Sequence, residues 1–255
     1  MRKTLYMLRR FILRNLVPEV LWPKYTVIDG IYIKIRHTPY SFGIKWLLSR
    51  NHEMYELAER SFIAALSEGD HVLEFGGSIG IVTALIADKI GKRGKIVSVE
   101  ASENIVLYSK SWLEDFGNIS VLQAYAFPIA SAVPMQATFD GDGGSLGGIV
   151  SYEYMETEVR AKNEQHFFIE DAYDIAEFSP NVLFIDIEGS EQIMLEHKPN
   201  IPKAIEKIVI ELHPGLYGSE INGKIIEVIE AEGFELEKTI ETVYQFLRSG
   251  MERVV

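Results

Sequence analysis

The stretch Val72-Leu-Glu-Phe-Gly-Gly-Ser-Ile-Gly80 decides the fold. His71 to Phe75 is a short apolar run of strand length, the glycines after it mark a tight turn, and Gly80 to Ile90 is apolar enough for a buried helix. A strand running into such a turn and then a helix brings backbone close to a ligand and aims free N–H groups at it. The dinucleotide fingerprint G-x-G-x-x-G fails here, because counting from Gly76 it needs glycines where Ser78 and Ile81 stand. The spacing present is acidic-x-Gly-x-x-x-Gly, carried by Glu74, Gly76 and Gly80.

Outward from this turn, helices and apolar strands alternate. Tyr55 to Leu66 reads as a helix before it. Lys95 to Glu100 is a strand after it, Asn104 to Phe116 a helix, and Ile119 to Tyr125 a third strand. Residues 127 to 150, rich in Gly, Ala, Ser and Pro, read as a long loop. The rhythm resumes with strands at His166 to Ile169, Val182 to Ile187 and Ile208 to Leu212, with a helix following Gly189. A further helix spans Asn222 to Glu232, and Phe234 to Val255 holds edge strands. The expected fold is α/β and Rossmann-like, a mostly parallel central sheet with helices on both faces and its ligands beyond the carboxyl ends of the strands. Glu100 ends its strand twenty residues after Gly80, where an acid can accept both hydrogen bonds of a ribose diol.

The 255 residues include no Cys, so disulfides, thiolate metal sites and a thiol nucleophile are excluded, and a reducing, cytoplasmic setting is expected. Charge is uneven: residues 1–50 hold ten Lys/Arg against two acids, and the rest fifteen against 35, giving +8 and −20. Most of the surface would repel a nucleic acid, so none is expected as partner. The chain divides into a basic extension over residues 1–50 and a domain over 51–255. In the extension Met1, Leu5, Leu8, Ile12 and Leu16 form a helical stripe flanked by Arg2, Arg9, Arg10 and Arg14. This amphipathic segment is too interrupted by charge to span a bilayer, and it makes a poor signal peptide. Three readings stay open for residues 1–16: peripheral contact with an anionic membrane, docking on a partner, and packing on their own domain. Thr26 to Arg36 alternates as two strands around Asp29-Gly30.

The third chemical signal is Val182-Leu-Phe-Ile-Asp-Ile-Glu-Gly-Ser-Glu191, a buried strand ending in three acids around a glycine. Together with Tyr55-Glu56, Val72 to Gly80, Val99-Glu100-Ala101 and Ile208-Val-Ile-Glu-Leu-His213, it resembles the FkbM family of class I S-adenosylmethionine-dependent methyltransferases, over residues 55 to about 215. The resemblance implies transfer of a methyl group to a hydroxyl of a sugar, glycan or glycolipid. It also implies S-adenosylmethionine as cofactor, leaving as S-adenosylhomocysteine. By the same resemblance Glu56 and the turn of Glu74, Gly76, Gly77, Ser78 and Gly80 meet the amino-acid end of the cofactor, Glu100 and Ala101 its ribose, and Asp186 the substrate side. Position alone puts Tyr125 or Ala126 near the adenine. Glu74 stands where the family more often has aspartate, and His166 to Ala176 departs from the family's pattern.

A sugar hydroxyl stays protonated at neutral pH, so a base at the acceptor is useful, and Asp186 is the first candidate with His213 second. Glu188, Glu211 and His213 are candidates for holding the acceptor, and Ser145, with Asp142 and Tyr152, for closing over it. Glu188 and Glu191 can equally just charge the start of a helix. Asp186, Glu211 and His213 could hold a divalent cation, a reading not favoured over a metal-free site. The acceptor could instead be a small metabolite or a peptide methylated on O or N, or the chain a non-catalytic cofactor-binding scaffold; self-association is left open.

Overall fold

The computed structural model describes residues 18–38, 40–129, 135–140, 149–154 and 166–250, the two middle short segments as backbone only. The stripe of residues 1–16, Asp142 and Ser145 lie outside the described residues, and the side chain of Tyr152 is not described. Strands β1 (Tyr25–Ile28) and β2 (Ile31–Lys34) form a hairpin, followed by helix Phe42–Arg50 and helix Leu57–Ile63. The central sheet is built from β3 (His71–Phe75), β4 (Lys95–Glu100), β5 (Ile119–Gln123), and later β10 (Val182–Ile185), β11 (Lys207–Glu211), β12 (Phe234–Ile240) and β13 (Val243–Arg248). Between them come β6 (Tyr125–Phe127), β7 (Met135–Asp140), β8 (Ile149–Tyr154) and β9 (His166–Phe168).

The sheet order is β12-β13-β11-β10-β3-β4-β5; all neighbours are parallel except β13, which runs antiparallel to both β11 and β12. The first strand of the sheet thus lies beside the fourth. The chain order reverses between β3 and β10, and at such a switch point the connections diverge to opposite faces and leave a crevice beyond the strand ends. The expected α/β, mostly parallel, Rossmann-like fold is the observed one.

Alternation within strands divides the core. Leu73, Phe75, Val97, Val99, Leu183 and Ile185 pack on one face with Ile225 and Ile229 of helix Ser219–Ala231. Val72, Ile96, Val182 and Phe184 pack on the other with Phe62, Ile81 and Ile86. Ile28 and Ile33 of the hairpin, Trp22 and Leu48 belong to this second cluster.

Two local readings are corrected, and one helix was not anticipated. Ile119 to Tyr125 is not one strand: Ala124 ends pairing with the central sheet, and Tyr125–Phe127 pairs in parallel with β9 instead. Residues 127 to 150 are not all loop, because Met135–Asp140 pairs antiparallel with Ile149–Tyr154. Their alternating Met135, Ala137, Phe139 and the β-formers Ile149, Val150, Tyr152 and Tyr154 outweigh the glycines between them. The helix at Phe42–Arg50 had no strong periodic signal, yet Ser41 caps it by accepting from the Ile44 N–H at 3.4 Å.

Candidate active site

The cleft opens at the switch point, with about 1000 Å³ of empty space, part of it open to solvent. Its floor is the turn after β3. Gly76 and Gly77 both donate to the Val99 carbonyl (2.8 and 3.3 Å), and Asp186 donates through its N–H to Phe75 (2.9 Å), so three strand ends are stitched together. Gly76 has φ +89°, and a Cβ on it would lie 1.6 Å from the Asp186 carbonyl oxygen; one on Gly77 would lie 1.8 Å from Ser98 Oγ. Only glycines let the strand after β3 pass this close to its neighbours.

Glu74, 2% exposed in the middle of β3, accepts a 2.6 Å hydrogen bond from Thr83 Oγ1 and another from Ser98. Burial pushes its carboxyl up to about 7 despite these bonds. Glu100 spends one oxygen on each side of the cleft floor: Oε2 accepts from the Ser78 N–H (3.0 Å) and Oε1 from the Ser102 N–H (2.8 Å). Burial raises its carboxyl above the usual range, with those backbone bonds pulling the other way. Glu56, Ser78 and Glu188 sit in the left-handed region at φ 44°, 47° and 52°, a conformation that strains a side-chain-bearing residue and clusters at functional sites.

The opposite wall is acidic. Asp186 Oδ1 is buried and has no hydrogen-bond partner among the described residues. His213 Nε2 faces it at 3.6 Å, with Glu188 Oε2 at 3.6 Å and Glu211 Oε2 at 4.0 Å. The ring's other nitrogen, Nδ1, lies 3.2 Å from Oε1 of Glu191, whose side chain is fully buried and which also accepts from the Ile187 N–H (3.3 Å). Burial, then the charges of Glu211, Glu188, Glu56 and Glu191, hold the Asp186 carboxyl well above the usual range. Glu56 is pushed up to about 7 by burial and the charge of Glu211, and Glu59 to about 9 by burial and the charge of Glu56. Asp186, Glu211 and His213 each present a ligand atom within 4.8 Å of the other two, and so do Glu56, Glu59 and Glu211. So many carboxyls facing one space call for protons or for a cation.

Residues 34–126, the span that carries the glycine turn and Glu100, match the family model of protein-L-isoaspartate(D-aspartate) O-methyltransferase. Over that span the chain is similar to a methyltransferase family. No characterised protein matches its sequence significantly. Among solved structures, Methanococcus jannaschii fibrillarin, a pre-rRNA processing protein, is 14% identical with a TM-score of 0.49 over 91% of this chain and 85% of that one. Aeropyrum pernix fibrillarin with natively bound S-adenosyl-L-methionine is 14% identical, TM-score 0.47, over 92% and 86%. Precorrin-6y C5,15-methyltransferase from Geobacter metallireducens is 13% identical, TM-score 0.43, over 74% and 87%. None of these likenesses bears on the acceptor.

The cleft fits S-adenosylmethionine chemically. Ser78 lines it, and its Oγ is buried and without a hydrogen-bond partner among the described residues. Carboxyls crowd one wall, suited to a cofactor whose sulfonium and amino group are positive. Of the residues expected at the site, Glu56, Glu74, Gly76, Gly77, Ser78, Glu100, Ala101, Ala126, Asp186 and Glu188 line the cleft. Gly80 does not; it caps helix Ile81–Ile90 at φ 84° against Leu113. Tyr125 is also outside the lining, its ring edge-on to His166. Glu211 and His213 stand behind Asp186. Sequence reasoning missed Glu59, and it read Glu191 only as a helix-end charge. The signal for Glu59 was its place on the apolar stripe with Phe62 and Ile63, where an acid is expensive unless used.

Proposed function

We propose that the chain is an O-methyltransferase acting on a hydroxyl of a sugar, glycan or glycolipid, with Asp186 as the base. The observation that carries this is the Asp186 carboxyl: one oxygen buried without a hydrogen-bond partner among the described residues, in the cleft beside the glycine turn, and raised in pKa by its surroundings. When bound, S-adenosylmethionine supplies an electrophilic methyl group with a neutral leaving group, so the chain's own tasks are to hold, aim and deprotonate the acceptor. Glu56, the Gly76-Gly77-Ser78 turn, Glu100 and Ala101 hold the cofactor. Asp186 takes the hydroxyl proton, and a carboxylate of raised pKa is a stronger base than an exposed one. His213 stands behind it, oriented by Glu191. The Asp-x-Glu-Gly-x-Glu run after β10, one of the motifs that carry the FkbM resemblance, supplies two of these groups, Asp186 and Glu191.

The match to a protein carboxyl methyltransferase raises a second acceptor, an isoaspartyl carboxylate. It covers residues 34–126 only. A carboxylate acceptor would meet Glu56, Asp186 and Glu188 in the cleft and be repelled, whereas a neutral polyol would be hydrogen-bonded by them. The test is transfer of labelled methyl from S-adenosylmethionine to a panel of glycans, glycolipids and isoaspartyl peptides by the wild type and Asp186→Asn. Glycan labelling lost in the variant, with cofactor binding retained, supports the reading. Unchanged turnover in the variant removes Asp186 from the mechanism; labelling confined to the peptides overturns the acceptor class.

A further inference from the structure

Outside the cleft, the most unusual surface is the one the β1–β2 hairpin turns to solvent. The register sets Tyr25 opposite Lys34 and Val27 opposite Tyr32 on one face, and Thr26 opposite Ile33 and Ile28 opposite Ile31 on the other. The second face carries Ile28 and Ile33 into the core. The first face leaves Tyr25 55%, Val27 42% and Tyr32 73% exposed. Val20 and Leu21, just before the hairpin, are each 70% exposed, and Trp46 on helix Phe42–Arg50 is 47% exposed. The Glu19–Lys45 ion pair and the edge-on Trp22–Phe42 contact hold that helix against the segment carrying Val20 and Leu21.

Charge selects among the partners such a face could take. Its two acids are neutralised, Glu19 by Lys45 and Asp29 by the Arg60 guanidinium at 2.7 Å. Lys24, Lys34 and Arg50 are exposed and have no ion-pair partner among the described residues. The seventeen residues before them add Arg2, Lys3, Arg9, Arg10 and Arg14 with no acid, in a chain that is otherwise strongly negative. A face combining aliphatic side chains, Tyr and Trp with unpaired cations suits an anionic bilayer: apolar groups enter the headgroup boundary, aromatic rings sit at that level, and Lys/Arg meet the lipid phosphates. A nucleic acid would leave Val20, Leu21 and Val27 without reward, and a second copy would set the same cations against each other.

We propose that this face docks on an anionic phospholipid surface, with Val20, Leu21, Tyr25, Tyr32 and Trp46 in the headgroup layer and Lys24, Lys34 and Arg50 on the lipid phosphates. The face is coupled to the cleft. Arg60, which holds Asp29 at the hairpin turn, also donates to the carbonyls of Glu53 (3.0 Å) and Tyr55 (3.1 Å), and Tyr55 and Glu56 line the cleft. Docking does not depend on which hydroxyl is methylated.

The test uses the full chain and vesicles of phosphatidylcholine with and without phosphatidylserine. The wild type is expected to sediment with the serine-containing vesicles, to be released by salt, and to show a blue shift of tryptophan fluorescence that is absent in Trp46→Phe. Tyr25→Ser/Tyr32→Ser and, independently, Lys24→Glu/Lys34→Glu are expected to weaken partitioning about tenfold or more while leaving S-adenosylmethionine binding unchanged. The proposal is overturned if the wild type binds neither vesicle, if both double variants partition as the wild type does, if the face instead binds an oligonucleotide, or if sedimentation velocity finds a dimer that these variants dissociate.

Discussion

The main-chain carbonyl of Asp186 rests on the bare Cα of Gly76, in the place a side chain would take: a Cβ there would lie 1.6 Å from the oxygen. The contact joins the turn that forms the cleft floor to the carboxyl end of β10, so the proposed base is aimed by the backbone of the cofactor turn. Gly76→Ala must therefore displace one strand end and also accept φ +89°. The expected loss is about 3 kcal/mol or more, together with cofactor binding. Gly223, exposed on helix Ser219–Ala231 with nothing near its Cβ position, is the control. Gly223→Ala is expected to gain about 0.5–1 kcal/mol in denaturant unfolding.

Glu100 offers a second test, because both its oxygens already accept from the N–H groups of Ser78 and Ser102. Those bonds fix the carboxylate in place, and its remaining lone pairs are what a ribose diol would use. Glu100→Ala is expected to weaken S-adenosylmethionine binding by about 10- to 100-fold in calorimetry, the weight of one or two hydrogen bonds to a charged group. Because Ser78 Oγ has no partner of its own in the described structure, Ser78→Ala is expected to leave unfolding almost unchanged and to weaken cofactor binding.

The difference between what was legible and what was not is itself physical. The strands His71–Phe75 and Lys95–Glu100 match their expected bounds because a strand buried on both faces shows as a mostly apolar run, broken here only by Glu74 and Ser98, between turn residues. Asp186 and Glu188, which line the cleft, were picked out from the acid run at a strand end, and Glu56 from the family resemblance alone. Glu191 was read only as a helix-end charge, since an acid buried there by tertiary packing looks the same in sequence as a solvated one; Glu59 was missed although it stands on the apolar stripe of Phe62 and Ile63. The pairing of Tyr125–Phe127 with β9 was hidden for a related reason: parallel partners 41 residues apart, as Tyr125 and His166 are, leave no local signature. Of the two residues expected on the adenine side, Tyr125 lies outside the cleft lining, while Ala126, one residue on and pointing the other way, lines it.

The acidic wall makes a pH prediction. Glu56 and Glu74 are raised from 4.5 to about 7 and Glu59 to about 9, chiefly by burial. Between pH 4.5 and those values the unfolded chain has released protons that the folded chain retains, so folding stability falls as pH rises through that window. The cofactor-free protein is expected to melt at a higher temperature at pH 5 than at pH 8. Glu59→Gln, which removes the charge and keeps the shape, should raise stability at pH 8 by on the order of 1–3 kcal/mol and change little at pH 5. Thermal unfolding at the two pH values decides it: an equal effect at both would mean that Glu59 is not proton-linked to folding.

Glu191 tests the arrangement behind the base. Burial alone would lower the His213 pKa, but the hydrogen bond and charge of Glu191, with Glu211 and Glu188, outweigh it and hold the imidazole above 6.5. A histidine raised in this way contributes stability in full below pH 6.5 and loses it as pH rises through the folded value. Glu191→Gln keeps an acceptor for Nδ1–H and for the Ile187 N–H but removes the charge. The His213 titration, followed by NMR of its ring proton, should then move down, and the stability deficit of the variant should be larger at pH 6 than at pH 9. If His213 also shares in the acceptor's proton, the acid limb of kcat/KM moves down with it, and kcat falls about tenfold with little change in KM. Glu191→Ala goes further, leaving His213 Nδ1 without its partner in a buried site, and is expected to cost about 2–4 kcal/mol. A Glu191→Gln protein with an unmoved His213 titration would show that the carboxylate serves the helix start at Ser190 and has no part in setting the histidine.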